Sequence, residues 1–418
     1  MIIKRGKDNI INSGAFIFIC MWFLIPIVQV VTGKAFLLLL LISWVLSSNW
    51  RYLIVSVFNN IWFFIWYMYM LLLLMFGIWK YGLLQPISFF VDVPLFFLGA
   101  IIFSYYNTKK NYSLLAKGCI VSLFCIFIGS INSFFMLLQN PLASRILATG
   151  QIQSKEFANM GIGGYGYVYA SVMFMVIAIY LLKNKLSINI KMKIFLLLLC
   201  IINFIFIIKA SYTIAILCAI FLSVLSIIRF KNLKLLLFTG IFIIVLFLIF
   251  KQQVGYYLIS LASYLPKGQV SYGKILDLAQ GFISNDFGPE SIGRFDLYAK
   301  SIDVFCSSPF LGEIGNADTY YSIGRHSAWF DLLGAFGLIG GLPIFVYLLS
   351  KMSHMIKLWK SNEYVNYLVI IQLYILFLGF INPIIYSYEI GFVFFLLVPS
   401  FPFILHGKEL GENKVKEV

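Results

Sequence analysis

The sequence predicts an all-α, polytopic membrane protein of about twelve transmembrane helices, with a large outward-facing loop between the ninth and the tenth. Three observations carry that expectation. Of 418 residues, 61% are hydrophobic and 11% charged, far from the balance of a soluble domain. Apolar runs long enough for a hydrocarbon core of about 30 Å recur along the chain. A single long stretch, Lys251 to Asp331, breaks that pattern, and it holds eight of the sixteen acidic residues: Asp277, Asp286, Glu290, Asp296, Asp303, Glu313, Asp318 and Asp331.

Taken in order, the apolar runs fall at 10–31, 35–48, 53–79, 93–106, 114–138, 161–182, 194–208, 210–228, 235–250, 332–350, 364–381 and 383–405. Residues 1–250 thus hold nine spans, 251–331 the outer loop, 332–405 three more spans, and 406–418 a polar tail. Lys4, Arg5 and Lys7 precede the first run as in a signal peptide, but no A-x-A-like cleavage site follows, so it reads as a span. With the N-terminus in the cytoplasm, the inner loops hold 20 of the 31 Lys and Arg residues. The short outer loops hold five, Lys34, Lys80, Arg145, Lys155 and Lys209. That bias puts both termini in the cytoplasm and the long loop outside.

The net charge of +15 is therefore read as a topology signal and not as a nucleic-acid-binding surface, since no basic patch has a fold of its own. Cys20, Cys119, Cys125, Cys200 and Cys218 lie in apolar runs and Cys306 stands alone in the loop, so no disulfide framework follows. No internal repeat suggests an inverted-repeat transporter.

Two outer segments carry the polar chemistry. The first, Gln139 to Met160, contains Arg145, Lys155 and Glu156 and runs into Gly161, Gly163, Gly164 and Gly166. There the backbone either packs closely on another helix or approaches a ligand. In the second, Phe295, Tyr298, Ile302 and Phe305 recur at helical spacing, which predicts an amphipathic helix from about Ser291, closed by Pro309. Asp296, Lys300 and Asp303 gather on the opposite face as ordinary surface pairs. Arg294 falls in its first turn, where a cation opposes the helix dipole. An anion held jointly by the helix N-terminus and Arg294 resolves that conflict; a snorkelling or salt-bridged arginine is the other reading.

Beyond the turn Pro309 to Gly315, Arg325 and His326 open a run containing Gly334, Gly337 and Gly341. Eleven positions apart, His326 and Gly337 fall within about 20° of each other on a helix. A small-residue stripe would then seat His326 on a rigid mount at the outer membrane surface. General base, metal ligand and interfacial residue all remain open for that histidine. Glu389 lies about seven residues inside the last span, where a carboxylate is costly and acts as a base, a cation holder or a structural group.

His326, Ser327, nine residues and then Gly337-Leu338-Ile339-Gly340 resemble the H-[NSQ]-x9-G-x-x-[GTY] signature of the O-antigen polymerase and ligase superfamily. The arginine-led helix and P-x-x-G turn from Arg294 to Gly315 are similar to that family too. So is the plan, with arginine-bearing third and fifth outer loops, here Arg145 and Arg294. One departure stands out. Family members commonly carry a serine-arginine pair after the seventh helix, where this chain reads Lys209-Ala210-Ser211-Tyr212. Lys209 supplies a point charge without the arginine fork, which favours a polymerase over a ligase.

The resemblance implies a helical, metal-independent, inverting glycosyltransferase without a cofactor, in the inner membrane of a bacterium. Its substrates would be polyprenyl-pyrophosphate-linked glycans, the donor chain passing to another lipid-linked repeat unit at the outer face to build O-antigen or capsule. A ligase passing the glycan to lipid A core is the alternative, and a chain-length regulator is an implied partner. His326 and Arg294 would be catalytic, the first handling the acceptor proton and the second stabilising the departing pyrophosphate. Arg325, Lys209, Arg145 and Tyr212 would bind substrate. No D-x-D metal motif is present, so cationic side chains must meet the pyrophosphate. Tyr320, Tyr321 and Trp329 would stack on sugars or anchor at the interface. The competing class, a lipid-linked oligosaccharide flippase or secondary transporter, predicts charges along a path through the spans, which here are almost uncharged.

Overall fold

The structure, a computed structural model, describes residues 10–81, 87–149, 154–183, 189–228, 233–264, 270–284, 289–313, 323–359 and 363–406. Among the described residues every element is helical and no strand occurs. Among the described residues, eight helices are long and apolar enough to cross a bilayer, or nine if a bent pair counts as one, so the chain is a polytopic membrane protein. The number falls short of twelve in part because α1 (Ile10–Leu24) and α11 (Thr213–Ile227) have 15 residues each. At that length a helix spans only about 22 Å.

The first apolar run is interrupted where the sequence predicts one span. Pro26 has no amide hydrogen for the helix ladder and forces its predecessor Ile25 into an extended conformation (φ −116°, ψ 101°). Helix α2 (Pro26–Leu46) is broken again at Gly33 and returns antiparallel to α1. Buried Asn12 ties the two, donating to the Trp44 carbonyl (3.1 Å) and Ser48 Oγ (3.0 Å) and accepting from Tyr106 (2.9 Å).

The third predicted span is also corrected: α3 (Trp50–Phe58) and α4 (Ile61–Tyr81) meet at a 77° bend. Buried Asn60 sits at the corner, donating to the Ser56 carbonyl (2.6 Å) and Ser104 Oγ (3.2 Å) and accepting from Tyr347 (2.9 Å). Replacing Asn60 with leucine leaves the Tyr347 hydroxyl buried without that acceptor, an expected loss of about 2 kcal/mol. Removing the hydroxyl as well, with Tyr347→Phe, should recover about 1 kcal/mol of it. Thermal unfolding of the detergent-purified variants checks this; strictly additive losses would mean that Asn60 and Tyr347 are not coupled.

Helices α5 (Ile87–Thr108) and α6 (Tyr112–Gln139) follow, then the short α7 (Ala143–Thr149) and α8 (Ser154–Asn159). Helix α9 (Tyr165–Lys183), apolar all round, is buried along nearly its whole length and forms the centre of the bundle. After α10 (Ile190–Ala210) and α11 comes α12 (Leu233–Ala262), whose 30 residues run about 45 Å. The predicted boundary at 250/251 therefore falls inside a continuous helix. The outer stretch continues as α13 (Val270–Ser284) and α14 (Pro289–Ser307), and the bundle closes with α15 (Ala328–Leu358), α16 (Tyr364–Ile381) and the helical segment Tyr388–Leu405.

The two ends of the bundle differ in chemistry. At one, Lys183 Nζ donates to the Ser226 carbonyl (2.8 Å) and Lys351 Nζ to that of Asn59 (2.7 Å), cations capping helix C-terminal ends. The other gathers the turns after α6, α8, α10 and α16 and the one before α15. The candidate residues lie there.

Candidate functional site

The site is mounted on an interlock between two broken helices. Pro309 cannot continue α14, and the chain turns through Gly312 (φ 70°). Helix α15 is itself interrupted at Gly337 (φ 59°, ψ −163°), which frees amides on one side of the break and carbonyls on the other. The turn satisfies both. Leu338 N donates to the Pro309 carbonyl (2.8 Å) and Ile339 N to that of Phe310 (3.0 Å), while Glu313 N donates to the Ala335 carbonyl (3.1 Å). Tyr69 of α4 pins the turn from outside through the Leu311 carbonyl (2.7 Å). The predicted straight stripe of Gly334, Gly337 and Gly341 is thus corrected: Gly337 is where the helix opens to take the turn.

His326 does not ride on this helix either. Ser327 is its N-cap, with Oγ accepting from Phe330 N (3.4 Å) and donating to the Gly379 carbonyl (3.2 Å), so α15 starts at Ala328 and His326 precedes it. Arg325 takes a left-handed conformation (φ 59°) that turns the chain into the cap. The turn 323–327 is organised by Asp331, which is fully buried. Its Oδ1 accepts from Ser301 Oγ (2.6 Å) and Arg325 N (3.1 Å), and its Oδ2 from Ser327 N (3.3 Å). Ser301 Oγ in turn accepts from Gly324 N (2.8 Å). His326 Nδ1 lies 3.1 Å from the Gly324 carbonyl, an acceptor only. Nδ1 therefore carries the proton of that bond, and Nε2 of the neutral ring keeps its lone pair. The Arg325 guanidinium lies 5.9 Å from the centroid of the Tyr386 ring.

Arg145 reaches the same end from α7. Its Nε (3.1 Å) and a terminal nitrogen both donate to the carbonyl of Ser211, the left-handed residue (φ 60°) that ends α10. Tyr212 donates to the Ser144 carbonyl (2.7 Å), and Ser144 Oγ to that of Gly163 (2.8 Å), so the glycine segment serves close backbone packing. The Tyr212 ring centroid is 6.0 Å from those of Tyr165 and Tyr169. Asn382 donates to the Tyr169 hydroxyl (3.4 Å) and accepts from Ala328 N (3.1 Å). A continuous path of contacts therefore runs from Arg145 through Ser211, Tyr212, Tyr169 and Asn382 to the start of α15, beside His326.

The Lys209 side chain, in the last turn of α10, is exposed. Arg294 falls in the second turn of α14, since that helix begins at Pro289, and its side chain lies outside the described residues, as do Tyr320 and Tyr321. The face of α14 turned inward carries Leu297, Tyr298, Ser301, Val304 and Phe305, so of the predicted apolar seam Tyr298 and Phe305 are half-buried, whereas Phe295 and Ile302 are exposed. Trp329 is a core anchor, buried with Nε1 donating to the Leu376 carbonyl (2.9 Å), so it offers no stacking face to a sugar. Glu389 lies in the first turn of its helix, not seven residues deep, because the predicted last span begins with the separate turn Ile384–Tyr386. It packs against Gly166, with Lys34 and Asp92, paired at 2.5 Å, as charged neighbours.

Asp331 is the residue that sequence reasoning missed. Its signal was present: a carboxylate in the first turn, four residues after a serine N-cap, is placed to receive the turn's free amides. Among the described residues, no three His, Cys, Asp or Glu side chains gather where they could hold a metal ion. No family model matches the chain, and no curated protein matches it.

Proposed function

We propose that the chain is an O-antigen or capsular polysaccharide polymerase, transferring a polyprenyl-pyrophosphate-linked glycan to another lipid-linked repeat unit at the outer face of a bacterial inner membrane. The observation that carries this reading is the union, at one end of the bundle, of a histidine with an oriented ring and two guanidinium groups, Arg145 from α7 and Arg325 from the turn before α15. In that reading the lysine-capped end and both termini face the cytoplasm, and the chain crosses the membrane about twelve times.

The departure at the turn after α10 also bears on the reading. The superfamily resemblance calls for an arginine beside a serine there, and Arg145 brings a guanidinium to Ser211 from α7. The acceptor hydroxyl oxygen attacks the anomeric carbon while its proton passes to His326 Nε2. The bond from that carbon to the pyrophosphate oxygen breaks, and the lipid pyrophosphate leaves with the bonding electrons. Arg325, Arg145 and Arg294 stabilise that charge, with Lys209 as a helper.

The test is a surface-glycan gel from the native host with this gene disrupted and complemented. His326→Ala should leave surface glycan at a single repeat unit, while wild type restores the ladder. Arg145→Lys should cut polymerisation by about tenfold or more, because a lysine cannot engage Ser211 and a phosphate together in a fork. Long polymer stranded on its lipid carrier would indicate a ligase instead. Units trapped on the cytoplasmic side would indicate a flippase. An unchanged ladder on disruption would end the assignment.

A further inference from the structure

We propose that Asp331 is a positioning residue that locks the His326 turn to α14 through Ser301, so that the two candidate catalytic residues sit on one rigid unit. The geometry is closed on every side. Asp331 takes three hydrogen bonds, two from amides of the 323–327 turn and one from a side chain of α14. Ser301 is both donor and acceptor in the same knot, giving its proton to Asp331 and receiving that of Gly324 N. Gly324 then holds His326 Nδ1 by its carbonyl. A displaced Asp331 therefore moves the histidine through two covalently linked steps, Arg325 N and Gly324.

Position 294 lies seven residues before Ser301, two turns and about 10 Å along α14, at nearly the same angle around it. The bond from Ser301 to Asp331 thus sets the offset of the His326 turn from the stretch of α14 that carries Arg294. The interlock at Gly312 and Gly337 fixes the far end of α14 to α15. With two attachment points α14 can neither slide nor roll against the histidine turn. Asp331 does not touch the reacting groups in this account; it acts through the backbone it binds. Its part in catalysis rests on the polymerase reading, but the locking itself does not.

The full-length protein in detergent is treated with diethylpyrocarbonate, and modification of His326 is followed by mass spectrometry against the exposed His354 of α15 as internal reference. Asp331→Asn turns one acceptor oxygen into a donor, and Ser301→Ala removes the link to α14. Each should raise the ratio of His326 to His354 modification severalfold, and Ser301→Thr, which keeps the hydroxyl, should restore it. A residue with only a bulk structural role would lower the melting midpoint without moving that ratio. If Asp331→Asn does not accumulate, Ser301→Ala carries the test alone. A wild-type ratio in Ser301→Ala, or a raised ratio that Ser301→Thr does not restore, overturns the proposal. A raised ratio in a host whose ladder ignores His326→Ala would keep the locking role and remove the polymerase.

Discussion

Gly337→Ala is expected to destabilise the protein by about 3 kcal/mol or more, whereas Gly341→Ala, one turn further along the same helix, should be nearly neutral. At Gly337 the backbone sits at φ 59° and ψ −163°, a region open essentially to glycine alone, and a side chain there costs about 1–3 kcal/mol in strain. An added Cβ would also collide with the Phe310 carbonyl oxygen and come within 2.6 Å of Gly312 N. Those are backbone atoms of the turn that caps the break, so the turn must leave. Its hydrogen bonds to Leu338, Ile339 and Ala335 go with it, each worth about 0.5–1.5 kcal/mol net. At Gly341 the nearest atom to an added Cβ is the end of the Leu333 side chain at 3.2 Å, which can rotate away. Alanine also gains up to about 1 kcal/mol of helix propensity there. Thermal unfolding of the two variants in the same detergent decides the matter. Equal midpoints would mean that the break in α15 does not depend on the turn.

That contrast also shows what a linear reading can and cannot reach. The class of fold was legible because lipid demands long apolar helices, and the composition states that demand in every run. The bend at Asn60 was not legible, because no proline or glycine marks it. The corner is held by Ser104 and Tyr347, 44 and 287 residues away. The pairing of Arg145 with Ser211 crosses 66 residues, so nothing local ties a loop arginine to a helix end. For His326 the types and the neighbourhood were legible but the geometry was not. Counting 3.6 residues per turn back from Gly337 assumes an unbroken helix, and the chain is capped at Ser327 and broken at Gly337 itself. The serine cap was readable in principle from Ser327 and the acidic first turn. The break was not, since it exists only where the Pro309 turn fits into it.

The second large effect is expected at Gly324, in function more than in stability. An added Cβ would collide with the Leu297 carbonyl oxygen of α14 and lie 2.5 Å from its carbon, so the 323–327 turn must lift by roughly an ångström or more. Lifting it draws Gly324 N from Ser301 and moves the carbonyl that fixes His326 Nδ1. The N-terminus of α15 has anchors of its own, from Ser327 Oγ to the Gly379 carbonyl and from Ala328 N to that of Asn382. The helix should therefore stay in place while the histidine does not. A displacement of about 1 Å in a catalytic group is enough to cost about 100-fold in rate. On the proposed polymerase reading, Gly324→Ala should accordingly give a glycan ladder close to that of His326→Ala, with a melting midpoint lowered less than by Gly337→Ala. A wild-type ladder from Gly324→Ala would show that the seat of the 323–327 turn on α14 does not matter to the reaction, and with it would fall the idea that α14 and the histidine turn work as one unit.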